Sequence, residues 1–227
     1  EKKIFESGEP YEISSVTSED GSIVKKLSIA PNAAHGVLTE FDQDISVVVF
    51  SHLSELNKKL GYCPRKIRIA LSDFPKIMEI SKGGRLYKDI ERSAERISSF
   101  EIYQDKFVIV KEKNGNLKIY EKTSLKLFHL NGIYKEEKET RKGKRIKKYY
   151  LDLDTPDWVR NNIENFYTTE FDVKKYFMLK RGRTKRLYRI LEFIRYEKTK
   201  FIPYEKLQKE LWIDAKEEFH VKEALKR

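Results

Sequence analysis

The first long periodic stretch of the chain is FDQDISVVVFSHLSELNKKLG, in which Phe41, Ile45, Val48, Val49, His52, Leu53 and Leu56 recur at helical spacing. Thr39 stands where an N-cap belongs and Gly61 where a helix stop belongs, so both ends of this helix are marked. His52 lies on the apolar stripe and reads as a hydrogen-bonded core residue rather than a ligand. Ahead of the helix the pattern alternates. Residues 11–16 and 23–29 are β-prone and bracket the turn sequence EDGS, which predicts a small hairpin followed by the loop PNAAHG.

Beyond Gly61 a short β-like run, Ile67, Ile69 and Leu71, leads into SDFPKIME, where Ser72 can cap a helix with Phe74, Ile77 and Met78 on one face. ISKGG follows, and Gly83 and Gly84 permit the positive φ of a sharp turn. GRLYKDIERSAERIS then places Leu86, Ile90, Ala94 and Ile97 on an apolar stripe and Arg85, Lys88, Arg92 and Arg96 on the other face. FVIVKEK and NLKIYEK flank Asn114 and Gly115, a strong hairpin signal that carries Lys111, Lys113 and Lys118. Helix, turn, helix and basic hairpin together predict a winged helix over 37–135, with 1–36 as an N-terminal extension.

From Ser124 the pattern alternates again through LKLFHLNGIY and IKKYYLDLD. The charged KEEKETRKGKRIKK between them reads either as a solvated hairpin tip or as a basic arm along a phosphate backbone. Thr155 as cap and Pro156 at the first position predict a helix over TPDWVRNNIENF, so 136–167 reads as arm and connecting helix. Asp172 begins a further helix, and RGRTKRLYRILEFIRY forms another with Leu187, Ile190, Leu191 and Ile194 inward. Lys180, Arg181, Arg183, Lys185, Arg186 and Arg189 crowd its start, where cations oppose the macrodipole. Local stability does not explain that cluster; phosphate contact would, and a solvated basic face is the alternative.

The spacing of Leu207, Leu211 and Ile213 repeats that of Phe74, Met78 and Ile80, and Asp214 can cap a last helix with Val221, Ala224 and Leu225 inward. This predicts a second winged helix over 168–227 whose wing lies beyond Arg227, the chain then being a fragment of a longer protein. Lys216, His220, Lys222 and Lys226 on that helix are candidate readers of base edges in a major groove. The expected fold class is α+β, with two tandem winged helices.

A formal net charge of +11 favours a polyanionic partner, and 39% apolar residues suffice for small cores. The single cysteine, Cys63, excludes an intrachain disulfide and fits a reducing compartment. No apolar run approaches the roughly 20 residues that span a bilayer, and no signal peptide is visible, so a cytoplasmic location is expected. His35, His52, His129 and His220 show no metal-binding spacing, and neither GxxxxGK[ST] nor GxSxG occurs. Asp152, Asp154 and Asp157 in LDLDTPD read as capping acids in a highly charged chain rather than as a metal site. No catalytic activity and no cofactor are expected.

GVLTEFDQDISVVVFSHLSEL resembles the opening of the first winged helix in the plasmid initiators called replication initiator protein A. KKYYLDLDTPDWVRNNIENFY and YFMLKRGRTKRLYRILEF resemble the junction and the opening of the second domain in that family, with Arg186, Leu187, Tyr188 and Leu191 as its RLY-x-x-L core. The resemblance covers most of residues 36–213. It implies double-stranded DNA with repeated origin sites as ligand, a homodimer in the DNA-free or repressor form, and a host initiator and replicative helicase as partners in a bacterial, plasmid-associated setting. The interleaved Asp89, Glu91 and Glu95 leave open whether the first domain reads DNA or dimerises. A tandem winged-helix transcriptional regulator, the recognition portion of a nuclease and a protein–protein module remain alternatives.

Overall fold

The computed structural model describes residues 11–17, 23–30, 34–111, 117–139, 145–165 and 172–195, with 202, 203, 205, 207, 208 and 211 beyond them. The chain divides into two compact units, Glu1–Tyr167 and Thr168–Arg227. The first contains, in order, β1 (Tyr11–Thr17), β2 (Ile23–Ala30), α1 (Glu40–Leu60), β3 (Lys66–Ala70), α2 (Phe74–Ile77), α3 (Gly84–Ser99), β4 (Glu101–Lys111), β5 (Leu117–Leu125), β6 (His129–Glu139), β7 (Arg145–Asp154) and α4 (Asp157–Glu164). The second contains α5 (Val173–Met178) and α6 (Gly182–Ile194). The class is α+β, with both sheets of the first unit antiparallel.

α1 forms where its periodicity and ends demand. Thr39 and Asp42 make a reciprocal capping box at its start, and Gly61 closes it at φ 77°, its N–H donating to the Asn57 carbonyl. The apolar stripe of α1 buries Ile45, Val48, Val49 and Leu53 completely, and α1 packs on α3, which buries Ile90, Ala94 and Ile97. Each large aliphatic side chain so buried contributes about 1.5–3 kcal/mol. β3 alternates, with Ile67 and Ile69 inward and Lys66 and Arg68 outward.

The two sheets draw together segments far apart in sequence. One has the order β1-β2-β4-β5 and the other β3-β7-β6. β2 pairs with β4 from Lys26↔Asp105 to Ala30↔Glu101, so the N-terminal hairpin is built into the sheet of the basic hairpin across the expected boundary at 36. β6 runs through the expected boundary at 135, and its partner β7 pairs on its other edge with β3. The segment expected as arm and connector thus supplies the central strand of the second sheet. α4 is fastened to the same unit: Glu164 accepts from the Cys63 N–H at 2.9 Å, Arg160 Nε donates to the Cys63 carbonyl at 2.9 Å, and Trp158 Nε1 donates to the Lys126 carbonyl at 2.9 Å.

Local details depart from expectation at three places. The helix expected over SDFPKIME is a single turn, with Asp73 rather than Ser72 at its N-cap and no side-chain cap bond. It stops because Glu79 takes φ 55° and the Ile80 N–H reaches back to the Pro75 carbonyl, a Schellman closure made without glycine. Gly83, at φ −162°, is extended, and neither it nor Gly84 has positive φ. Thr155 does not cap α4; Pro156 is the N-cap. The Thr155 N–H instead donates to the Arg65 carbonyl at 2.6 Å, and its buried hydroxyl has no hydrogen-bond partner among the described residues.

In the second unit Asp172 caps α5 as expected, its Oδ1 accepting from the Lys175 N–H at 3.1 Å. Tyr176 and Phe177 are buried edge to face, with ring centroids 5.0 Å apart. Leu207 and Leu211 close successive helical bonds, Leu207 N–H to Pro203 and Leu211 N–H to Leu207, and Leu211 is buried. Ile213 and the helix expected after Asp214 lie outside the described residues.

Candidate nucleic-acid interface

α3 presents three of its four expected cations to solvent. Arg85, Lys88 and Arg92 are exposed at i, i+3 and i+7. The Arg85 side chain is 97% exposed and stands 4.0 Å from Asp89, a surface pair of little energetic weight. The helix begins at Gly84 with no side-chain cap and no acid in its first turn, so its free N–H groups are undisguised.

Arg96 corrects the sequence expectation. Its Nη2 meets Asp42 Oδ1 at 2.7 Å and its Nε meets Oδ2 at 3.0 Å, a forked ion pair in which the Asp42 side chain is 1% exposed. Asp42 Oδ2 also accepts from the Thr39 N–H at 2.6 Å and the Thr39 hydroxyl at 2.9 Å. Burial alone would raise the carboxyl pKa, but the hydrogen bonds from Arg96 and Thr39 hold it below the ordinary carboxylate value. Arg96 therefore joins the end of α3 to the start of α1. The sequence signal was present, a T-x-x-D capping box over Thr39–Asp42, but nothing local named Arg96 as its partner.

Lys111 and Lys118 lie on paired strands, Lys111 opposite Leu117 and Lys118 opposite Val110. Lys113, and the side chains of all three lysines, lie outside the described residues. In the charged segment, Glu136, Glu137 and Glu139 stand opposite Lys148, Lys147 and Arg145. Glu137 pairs with Lys135 and lies 3.9 Å from Lys147, and the Tyr150 hydroxyl donates to Glu136 at 3.0 Å. The described part of this segment is thus a hairpin whose opposite charges face one another, not a uniformly basic strip.

In the second unit α6 repeats the design of α3. It starts at Gly182, the N-cap Arg181 makes no capping hydrogen bond with its side chain, and no acid occupies the first turn. Lys180, Arg181 and Arg183 are exposed. Lys185 and Arg186 are half-buried, and the Lys185 ammonium rests 5.1 Å from the Tyr176 ring centre and 5.2 Å from that of Phe177. Leu191, expected inward, is 50% exposed. Lys216, His220, Lys222 and Lys226 lie outside the described residues.

The acids of LDLDTPD have separate partners. Asp152 binds Arg68 at 3.4 Å, Asp154 accepts from the Asn131 amide at 3.1 Å, and Asp157 binds Arg160 at 3.0 Å. Among the described residues no three His, Cys, Asp or Glu side chains gather as a metal site. Nor is any described helix long and apolar enough to cross a membrane. Cys63 is buried, and burial, with Glu164 nearby, pushes its thiol up to about 11, so it is not a poised nucleophile.

Residues 12–200 match the family described as replication initiator protein A. Among curated proteins none matches the chain. Two crystal structures of domains 2 and 3 of RctB are similar in fold. The one of selenomethionine derivatives has a TM-score of 0.60 at 11% identity, covering 96% of this chain and 76% of that one. The other has a TM-score of 0.58 at 13% identity, covering 95% and 75%.

Proposed function

The chain belongs to the replication initiator protein A family, and we propose that it initiates plasmid replication by binding repeated duplex sites at the origin through two tandem winged helices, acting by binding without catalysis. The observation that carries this reading is the exposed face of α3, where Arg85, Lys88 and Arg92 remain free of the core while Arg96 is drawn into it. Lys180, Arg181 and Arg183 beside the uncapped start of α6 support the same reading for the second unit. Such cations fix position and affinity on phosphates, and base-edge contacts add sequence preference. A DNA-free homodimer, and a host initiator and replicative helicase as protein partners, belong to the same proposal.

The test is selection of bound sites from a random duplex library with the full reading frame at about 150 mM salt. One long element near two helical turns, present as direct repeats beside the gene on its plasmid, is the expected result. An inverted repeat at a promoter alone would move the assignment to a dimeric regulator. Binding without enrichment would sink the initiator reading.

A further inference from the structure

A second basic surface lies at the opposite end of α1, and none of its residues belongs to the faces described above. α1 ends in Lys58, Lys59 and Leu60, the chain turns at Gly61, and Tyr62, Cys63, Pro64 and Arg65 lead into β3 at Lys66. Lys59, Arg65 and Lys66 are exposed, and none of them makes an ion pair among the described residues. Between them Leu60 is 49% and Tyr62 54% exposed.

The turn that holds them is braced. The Gly61 N–H donates to the Asn57 carbonyl at 2.8 Å, and Cys63 is fully buried between Glu164 and Arg160 of α4. The Arg65 carbonyl accepts from Thr155 at 2.6 Å. Of the neighbouring acids, Glu164 accepts from the Cys63 N–H and Asp157 pairs with Arg160, while Asp154, opposite Lys66 on the β3–β7 ladder, accepts from Asn131, and Glu55 lies one helical turn before Lys59.

Stabilisation of a helix C-terminus accounts for Lys58 and Lys59. It does not account for Arg65 and Lys66, which lie in the loop and on a strand, nor for an exposed tyrosine and leucine between the cations. Exposed cations carried on a braced turn that also exposes an aromatic ring suit the sugar–phosphate backbone of DNA, with a base or sugar against the ring. We propose that Lys59, Tyr62, Arg65 and Lys66 form a further DNA-backbone contact of the first unit. It lies about 25 Å along α1 from the point where Arg96 clamps α3. This rests on the DNA-binding reading, and adds affinity and position without sequence preference.

The test compares the full chain with a Lys59→Gln, Arg65→Gln, Lys66→Gln variant by fluorescence anisotropy over a salt series. The probes are a duplex carrying the selected element, a scrambled duplex and a single strand. The variant is expected to flatten the salt slope by about one to three units, with equal losses on the two duplexes. An added loss with Tyr62→Ala confined to the single strand identifies unpaired DNA as the source; a Tyr62→Ala variant that binds normally while the triple variant fails on duplex identifies duplex backbone. Unchanged slopes on every probe, with Arg85→Ala, Lys88→Ala, Arg92→Ala still weakening binding, overturn the contact and leave the functional reading standing. A wild-type chain that binds no DNA overturns both. If the triple variant melts early, lysine acetylation of the wild-type protein replaces it: protection of Lys59 and Lys66 by DNA is expected, and equal labelling with and without DNA overturns the proposal.

Discussion

Arg96 and Arg92 are four residues apart on one helix, and their surroundings give them opposite tasks. Arg96 neutralises a carboxylate that is almost wholly enclosed, whereas Arg92 is open to solvent. Arg96→Ala would leave Asp42 buried and uncompensated, so a loss of about 3 kcal/mol is expected as a lower urea midpoint, with DNA affinity of the folded protein little changed. Arg92→Ala should do the reverse. His52 provides a separate test at the same scale. Burial holds its imidazole below 6.5, although Glu55 and Asp73 pull upward. Below 6.5 the unfolded chain then binds more protons than the folded one. The contribution of His52 is therefore complete above 6.5 and is lost as pH falls from there through the folded value. Urea midpoints should decline across that interval, and His52→Gln should flatten the decline.

At the scale of elements, the turn between α2 and α3 shows how a sequence signal can sit beside the place that needs it. Two adjacent glycines suggest positive φ, yet Gly83 is extended and Glu79 carries the left-handed conformation at φ 55°. The reason is the Schellman closure, which fixes the left-handed residue one position after Met78, where the helix ends. Glu79→Gly should relieve the steric cost and raise stability by about 0.5–1 kcal/mol, seen as a higher melting temperature. No such gain is expected of the same change at a surface residue with ordinary φ. The β6–β7 hairpin makes a related point. KEEKETRKGKRIKK looks basic in sequence because its acids precede its cations, but strand pairing sets Glu136, Glu137 and Glu139 against Lys148, Lys147 and Arg145.

At the scale of the whole molecule, exposed cations among the described residues include those of α3, of the turn after α1 and of the start of α6. If the second unit engages DNA through α6, Arg181→Ala with Arg183→Ala should weaken binding on all sequences and flatten the salt slope by about two units. Arg186→Ala should have a smaller effect, since that residue is half-buried. An unchanged slope in the double variant would remove α6 from the interface.

The sequence alone determined what depends on neighbours a few positions away. α1 with its Thr39 cap and Gly61 stop, the stripe of α3, the hairpins and the Asp172 cap all follow from helical periodicity, strand alternation or one capping hydrogen bond. Tertiary structure decided which strands share a sheet and which cations stay at the surface. Arg96 meets a carboxylate 54 residues away, and Arg68 meets Asp152 across 84 residues. β7 became a central strand only by pairing with both β6 and β3. Periodicity assigns a residue to a face of its own element but cannot say what covers that face, and for a charged side chain that covering decides between an ion pair in the core and a contact for DNA.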